Sequence, residues 1–466
     1  MSYFSAVLVH KPRHYFRGCR LSLTFVHALS LIAPWPIGKL ATFRHEGRNP
    51  IKSVPLEVAP HRKHSAIVLC WVLLVSLCFG AEKDDPNLKS LYDNHRWFDL
   101  RDSLKKGSAS AFYQGAIACA FNDVSRCEKK FRHVFNSAPR SSEAVEAHRT
   151  LASAYLTQGE YKKASAQVSA LLVLSPTDAD VLSGQPVLAA LADSPNQRIA
   201  GKHTTVQLED DGLPFSINGV HATYWFDTGA ELSVLSESEA KRFGLRIRAA
   251  SVQVGDVNGT QVNTRIAVAD ELSIGSIRIR HVAFLVLPDD QPPFDAQSPG
   301  SRGLIGLPVL VAFSRFVWRA DRTFEIGPES STKKVSHADL CFDGNHPLVQ
   351  LEYDNRPLNF ALDTGATNTD LYPPFASAFP ELIRSAVKTD SYKIEGVGGT
   401  KYLEAATLES LKFSVGGFPA TLKSVGVLLK PTTDASRFFA GNLGIDLLQQ
   451  AHQTTFDFKA MTLTLQ

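Results

Sequence analysis

The sequence predicts a multidomain α + β chain in which an N-terminal α-helical region precedes two tandem all-β barrels that form a bilobal unit. Three observations predict it. Apolar residues recur at helical spacing through residues 84–200, and from His203 the texture changes to short alternating runs punctuated by Gly, Asn, Asp and Pro. Within that β-patterned part the same series of motifs occurs twice. At 466 residues the chain is long enough for two or three domains, each with its own core. A formal net charge of +3, with no basic stripe interleaved with aromatics, leaves no electrostatic footprint for nucleic acid.

Residues 1–81 are expected to be a presequence. His61-Arg62-Lys63-His64 leads into an apolar run from Ala66 to Phe79, closed by Gly80-Ala81 and the charged Glu82-Lys83-Asp84-Asp85. A basic cluster, an apolar core and small residues at the exit form the pattern of a secretory signal peptide over residues 61–81. The run is shorter than the roughly 20 residues of a bilayer-spanning helix, and an uncleaved anchor and a buried helix stand as alternatives. The expected location is periplasmic or extracellular, with membrane anchoring by this segment as the variant. Because the pattern begins far from residue 1, residues 1–57 are expected to be an upstream extension absent from the mature protein. Cys119 and Cys127 would pair in an exported protein and leave Cys341 free, buried unpaired thiols being the alternative. No cysteine or histidine spacing suits a metal site, so neither metal nor cofactor is expected.

The helical region, 84–200, is clearest from Glu143 to Asp180. Leu151, Tyr155, Gly159, Tyr161 and Ala164 fall at packing positions of a helix pair, with Gly159 at the turn and Ser175-Pro176 just past the second helix. This stretch resembles one tetratricopeptide repeat, and Phe112 to Phe135 lacks the matching Gly-Tyr-Ala run. A lone repeat cannot bury its own face, so neighbours must cover it. Its role is either to dock a protein partner or to act as a spacer on the β part.

The two β copies span 203–330 and 338–466. Val206-Gln207-Leu208-Glu209 opens the first and Val349-Gln350-Leu351-Glu352 the second. An apolar approach then ends in Asp227-Thr228-Gly229-Ala230 and in Asp363-Thr364-Gly365-Ala366. A Gly-containing hairpin candidate follows, Gly255 to Thr260 and Gly396 to Thr400. Last come Leu304-Ile305-Gly306 and Asn442-Leu443-Gly444, 79 residues after Asp227 and 81 after Asp363. A single Asp-Thr-Gly reads as a strand ending in an Asp-initiated turn, but turn chemistry alone does not demand repetition in register.

Two carboxyls held within about 3 Å cannot both ionise and so share one proton. The ionised member can activate a bound water, and the protonated one can hydrogen-bond a scissile carbonyl. No His-Glu-x-x-His or Gly-x-Ser-x-Gly motif competes for the role. Asp227 and Asp363 are therefore the candidate catalytic pair.

The segments around them resemble the active-site motif of the pepsin and retropepsin clan, and the copy length and the apolar-apolar-Gly element are most similar to retropepsin-like bacterial members. The resemblance covers roughly residues 203–466. It implies that each copy supplies one Asp, that Thr228 and Thr364 bond across the lobe junction, and that Gly229 and Gly365 let the backbone turn, with Ala230 and Ala366 closing the motif. It also implies flaps that close over an extended peptide, carried by Gly255, Val257 and Gly259 in one copy and by Gly396, Val397 and Gly399 in the other. The implied activity is that of an aspartic endopeptidase acting on a peptide or protein. The alternative is a non-catalytic module that binds peptides in the same β-groove and helical repeats. A monomer with an intramolecular site is the first expectation and a homodimer the second. Three departures stand out: Tyr224 and Trp225 replace smaller aliphatic residues, Asn442 is polar in the apolar pair, and Ala230 and Ala366 lack the hydroxyl common in pepsins. Loss of that donor should raise the carboxyl pKa values and move the optimum to about pH 5–7 rather than 2–3.

Overall fold

The computed structural model describes residues 6–7, 86–105, 109–256, 261–292, 294–327, 339–396 and 399–466. Apart from residues 6–7, the expected presequence with its signal or anchor segment lies outside the described residues. Seven helices occupy the described chain before the first long sheet: Pro86–Asp93, Trp97–Leu104, Ala111–Ala120, Val124–Ser137, Ser142–Thr157, Tyr161–Leu174 and Ala179–Leu191. Side-chain caps start three of them, Asp123 accepting from the Arg126 N–H at 3.0 Å, Ser141 from the Ala144 N–H at 3.1 Å and Asp178 from the Val181 N–H at 3.4 Å.

Two successive helix pairs share one design. Helices Ser142–Thr157 and Tyr161–Leu174 turn at Gly159, whose φ of +66° suits glycine, and bury Ala147, Leu151, Tyr155, Tyr161, Ala164 and Leu171 between and beneath them. Helices Ala111–Ala120 and Val124–Ser137 turn at Asn122, with φ +60°. Asn is the residue after Gly that tolerates this left-handed conformation, which is why the first pair carries no glycine signature. A disulfide between Cys119 and Cys127 spans that turn, and Cys341 is free and buried. Gly115 lets the two helices approach, since a Cβ there would lie 2.5 Å from the Phe131 ring.

The described residues of the β part form three sheets. In the first, strands Leu213–Ile217, Val220–Phe226, Gly303–Ile305, Ser233–Ser236 and Ile277–Leu287 lie side by side, together with the antiparallel pair Arg248–Asp256 and Gln261–Ile274. The second repeats the arrangement with His346–Tyr353, Arg356–Leu362, Gly441–Leu443, Asp370–Leu371, Phe418–Leu428, Gly399–Val415 and Val387–Gly396. The third draws on both copies. Strands Thr204–Gln207, Thr323–Ile326 and Arg315–Arg319 from the first copy continue into Gln453–Asp457 and Thr462–Leu465 from the second, joined by the register Phe316↔Phe456 and Trp318↔Thr454. Phe316 stacks on Phe324 and Phe456, with centroids 5.0 and 4.5 Å apart.

One expected landmark is out of register. Val206-Gln207 belongs to the shared third sheet, whereas Val349 to Glu352 lies in the strand beside the Asp363 approach, with Val349 opposite Phe360. The residue opposite Tyr224, the counterpart of Phe360, is Leu213. The shared tetrapeptide is a coincidence of composition: both strands alternate apolar and polar residues, and alternation alone does not distinguish sheets.

The helices pack on both β copies, touching the second through Cys341, Leu348 and Phe439. Ala230, Leu232, Val234, Leu285 and Leu304 share one buried cluster with Phe112, Leu151, Tyr155 and Leu191. Fully buried Tyr161 inserts its hydroxyl into the edge of Ile277–Leu287, donating to the His281 carbonyl and accepting from the Ala283 N–H, both at 3.1 Å. His281 itself has φ +58°, so the strand is irregular where the tyrosine enters. Tyr161→Phe should lower stability by about 1–3 kcal/mol, because it strands a buried N–H and a carbonyl. A urea midpoint equal to wild type would contradict this.

Candidate active site

Asp227 follows the strand Val220–Phe226 and Asp363 follows Arg356–Leu362. Each approach strand is clamped in parallel by a short strand of its own copy, with Ile305 opposite Phe226 and Leu443 opposite Leu362. The Asp227 N–H donates to the Ile305 carbonyl at 2.8 Å, and the Asp363 N–H to the Leu443 carbonyl at 3.0 Å. Beyond each Asp the turn closes in the same way. The Leu307 N–H donates to the Ala230 carbonyl at 2.8 Å, and the Ile445 N–H to the Ala366 carbonyl at 2.9 Å. Hydroxyls of Ser233 and Thr369 accept the Gly306 and Gly444 N–H at 3.0 and 3.1 Å. A Cβ at either glycine would lie 2.5 or 2.6 Å from backbone atoms of that turn, so only glycine fits.

Thr228 and Thr364 bind each other reciprocally. The Thr228 N–H donates to Thr364 Oγ1 and the Thr364 N–H to Thr228 Oγ1, both at 3.0 Å. Each hydroxyl then donates across the junction, Thr228 to the Leu362 carbonyl at 2.7 Å and Thr364 to the Phe226 carbonyl at 2.8 Å. All four bonds are buried and lie within one chain, which brings the two Asp-Thr-Gly-Ala turns face to face.

The carboxyls sit unequally in this symmetric frame. Asp363 Oδ1 accepts the N–H groups of Gly365 at 2.9 Å and Ala366 at 3.1 Å, and Oδ2 accepts Asn442 Nδ2 at 2.8 Å. Asp227 Oδ1 accepts the Gly229 N–H at 2.7 Å, while its Oδ2 is buried and accepts no hydrogen bond among the described residues. Asp227 is fully enclosed and Asp363 is 3% exposed. Burial first, and then the Asp363 carboxylate beside it, raises the Asp227 pKa well above the usual carboxylate range; the Gly229 and Ala230 amides oppose the shift. Two carboxyls this close favour a state in which one of them is protonated.

The departures in the approach strand find partners. Tyr224 donates to Glu239 Oε2 at 2.7 Å, and its ring fills the space over Gly303, where a Cβ would come within 2.2 Å of it. Trp225 donates its indole N–H to the Thr364 carbonyl at 2.5 Å and packs edge-on against Trp318. The residue in its place in the second copy, Ala361, cannot return that bond. Asn442, read from sequence as a weakness of the second copy, lies opposite Ala361 and points its amide at Asp363.

Of the flap residues, Val257, Gly259 and Val397 lie outside the described residues. Gly255 pairs with Gln261 at the end of the strand pair of the first copy, and Gly396 pairs with Gly399 in the second. In the second copy, Tyr392 on the strand Val387–Gly396 donates its hydroxyl to Asp370 at 2.5 Å, a link that no sequence spacing signalled. Burial lifts Asp370 to about 6 against the lowering effect of that bond. Glu231, directly after Ala230, is 4% exposed and accepts from Asn345 of the other copy at 3.3 Å, and Asn345 in turn meets Thr157 at the end of a helix at 3.1 Å. Among the described residues no group of three or more His, Cys, Asp or Glu side chains could hold a metal ion.

No curated protein matches the chain. A solved retropepsin-like aspartic protease from Rickettsia conorii is similar at 15% identity, over 28% of this chain and 92% of that one, with a TM-score of 0.20. Residues 213–309, the stretch that carries Asp227-Thr228-Gly229-Ala230 and Leu304-Ile305-Gly306, match the family described as Aspartyl protease, so this part of the chain is similar to aspartyl proteases.

Proposed function

We propose that the chain is an aspartic endopeptidase in which Asp227 and Asp363 of one molecule activate water against a peptide carbonyl. The observation that carries the reading is the reciprocal Thr228–Thr364 hydrogen bonding, which holds both Asp turns together without a second chain. The raised pKa of Asp227 supports a shared proton, the state in which one carboxyl is base and its neighbour is acid. In this reading Gly255, Gly396 and Gly399 belong to the mobile covers of an extended substrate, bound by strand-like backbone pairing. The Cys119–Cys127 disulfide supports an oxidising, exported location.

The test is cleavage of a broad peptide library by the purified chain across pH 3–8. Hydrolysis should peak near pH 5–7, since a buried dyad with raised pKa keeps its shared proton well above pH 4. A peak below pH 3 would remove the argument from burial. A second reading, a non-catalytic peptide-binding module, draws on the enclosure of Asp227 and on the helical cluster that includes Ala230 and Leu304. Peptide binding with no cleavage at any pH would favour it.

A further inference from the structure

The two halves of the site are related residue by residue, and this makes a side-chain mismatch at the carboxyls informative. Leu304 and Asn442 hold the same place, two residues before Gly306 and Gly444, each on the short strand that clamps its Asp approach. Leu304 is buried among apolar groups of the helical layer. Asn442 is half-buried and donates to Asp363 Oδ2 at 2.8 Å. An apolar strand position that carries an amide aimed at one of two facing carboxyls breaks the symmetry of the pair where their chemistry must differ.

We propose that Asn442 is a positioning residue that assigns the parts of the dyad, a reading that rests on the peptidase proposed above. By donating to Asp363 Oδ2 it keeps Asp363 as the carboxylate that takes a proton from water. Asp227, whose Oδ2 receives no donor, is left as the carboxyl that gives one. The step balances. Water oxygen adds to the carbonyl carbon while its proton passes to Asp363, and Asp227 protonates the carbonyl oxygen to form a gem-diol. On collapse a hydroxyl proton returns to Asp227, the Asp363 proton goes to the amide nitrogen, and the C–N bond breaks. A hydrogen bond to the charged form of a carboxyl lowers its pKa, and backbone donors from Gly365 and Ala366 act in the same sense. Titratable groups that face Asp363 among the described residues include Asp227 and the buried Tyr372, whose own pKa is raised in part by Asp363. Tyr372 stays neutral throughout the working range, so Asn442 is the side chain that tips the order of ionisation between Asp227 and Asp363.

The experiment uses the full chain and two readouts. One is the acid limb of kcat/KM against pH. The other is a carbon-13 titration of the aspartate carboxyls, with the signals assigned through Asp227→Asn and Asp363→Asn. In the wild type Asp363 should ionise first. Asn442→Leu, which copies Leu304, should move that first ionisation and the acid limb up by about one unit, the effect of losing one hydrogen bond to a charged group. Asn442→Ala reads the same shift should the leucine variant fail to fold. Leu304→Asn combined with Asn442→Leu should make Asp227 the first to ionise. An Asp227 that ionises first in the wild type, or a folded Asn442 variant with unchanged titration, overturns the proposal. Absence of cleavage by the wild type at every pH overturns the peptidase reading instead, and the carboxyl titration then decides the part of Asn442 by itself.

Discussion

Asp363→Asn is expected to reduce peptide hydrolysis at least about 10³-fold and to leave the chain folded, and Asp227→Asn is expected to do the same. The amide has the shape of the carboxyl, so the Gly365, Ala366 and Gly229 N–H groups keep an oxygen to bind, but it can neither take nor give the shared proton. The double variant should lose little more than either single one, since the carboxyls act as a unit. Asp227→Asn also predicts a stability change of opposite sense to its activity loss. The raised pKa of Asp227 means that the fold favours its protonated form. The corresponding stability is present below about pH 4, the ordinary range of a free Asp, and is lost as pH rises through the folded-state value. Asp227→Asn removes a group that is costly to ionise. The variant should therefore melt higher than wild type at pH 7–8, by several degrees, and level with it near pH 3–4. Thermal denaturation at both ends of the range checks this, and a variant less stable at pH 8 would show that Asp227 is not held neutral by its surroundings.

The second large effect falls on the lobe junction. Thr228→Val keeps shape and volume but removes the acceptor of the Thr364 N–H and the donor to the Leu362 carbonyl. Both partners are buried and have no water to turn to. At about 1–3 kcal/mol for each stranded group, a single valine should cost about 2–5 kcal/mol. Thr364→Val removes the two mirror-related bonds, to the Thr228 N–H and the Phe226 carbonyl, and should cost a similar amount. None of the four bonds is shared between the two substitutions, so the losses should add except for whatever the junction gains from both sides being ordered. Denaturant midpoints of the singles and the double measure this, and kcat measured under folding conditions should fall with them. A stability loss under 1 kcal/mol for both singles would mean that the junction is held by packing alone.

Much of the pairing of Asp227 with Asp363 could be read from the chain, because a turn that must place a carboxylate over two amides needs Asp, a small residue and Gly in fixed order. The glycine after each apolar pair was legible for a related reason: backbone atoms approach too closely for any Cβ. What stayed hidden follows from degeneracy. Val206 to Glu209 and Val349 to Glu352 share letters because alternating strands share a vocabulary, and only hydrogen-bond register separates them. Asn122 performs at one helix turn what Gly159 performs at the next, so the first turn carries no glycine to mark it. Asn442 was visible as an oddity, a polar residue among apolar ones, but its meaning depended on knowing that the clamp strand runs directly beside Asp363. Trp225 stands out in the same way, and the partner of its indole N–H, a carbonyl on the other copy, follows only from the fold.

The third sheet places a condition on how the protein comes to life on the ribosome. Arg315–Arg319, on the copy that carries Asp227, has its outer partner in Gln453–Asp457. Translation delivers the first of these strands well before the second, and until then its edge is open and ready to pair with other chains. The sheet that spans both copies is thus complete only when synthesis has passed residue 457, although both aspartate turns have been made by then. Stalled or truncated products would keep that edge unpaired and be prone to aggregate.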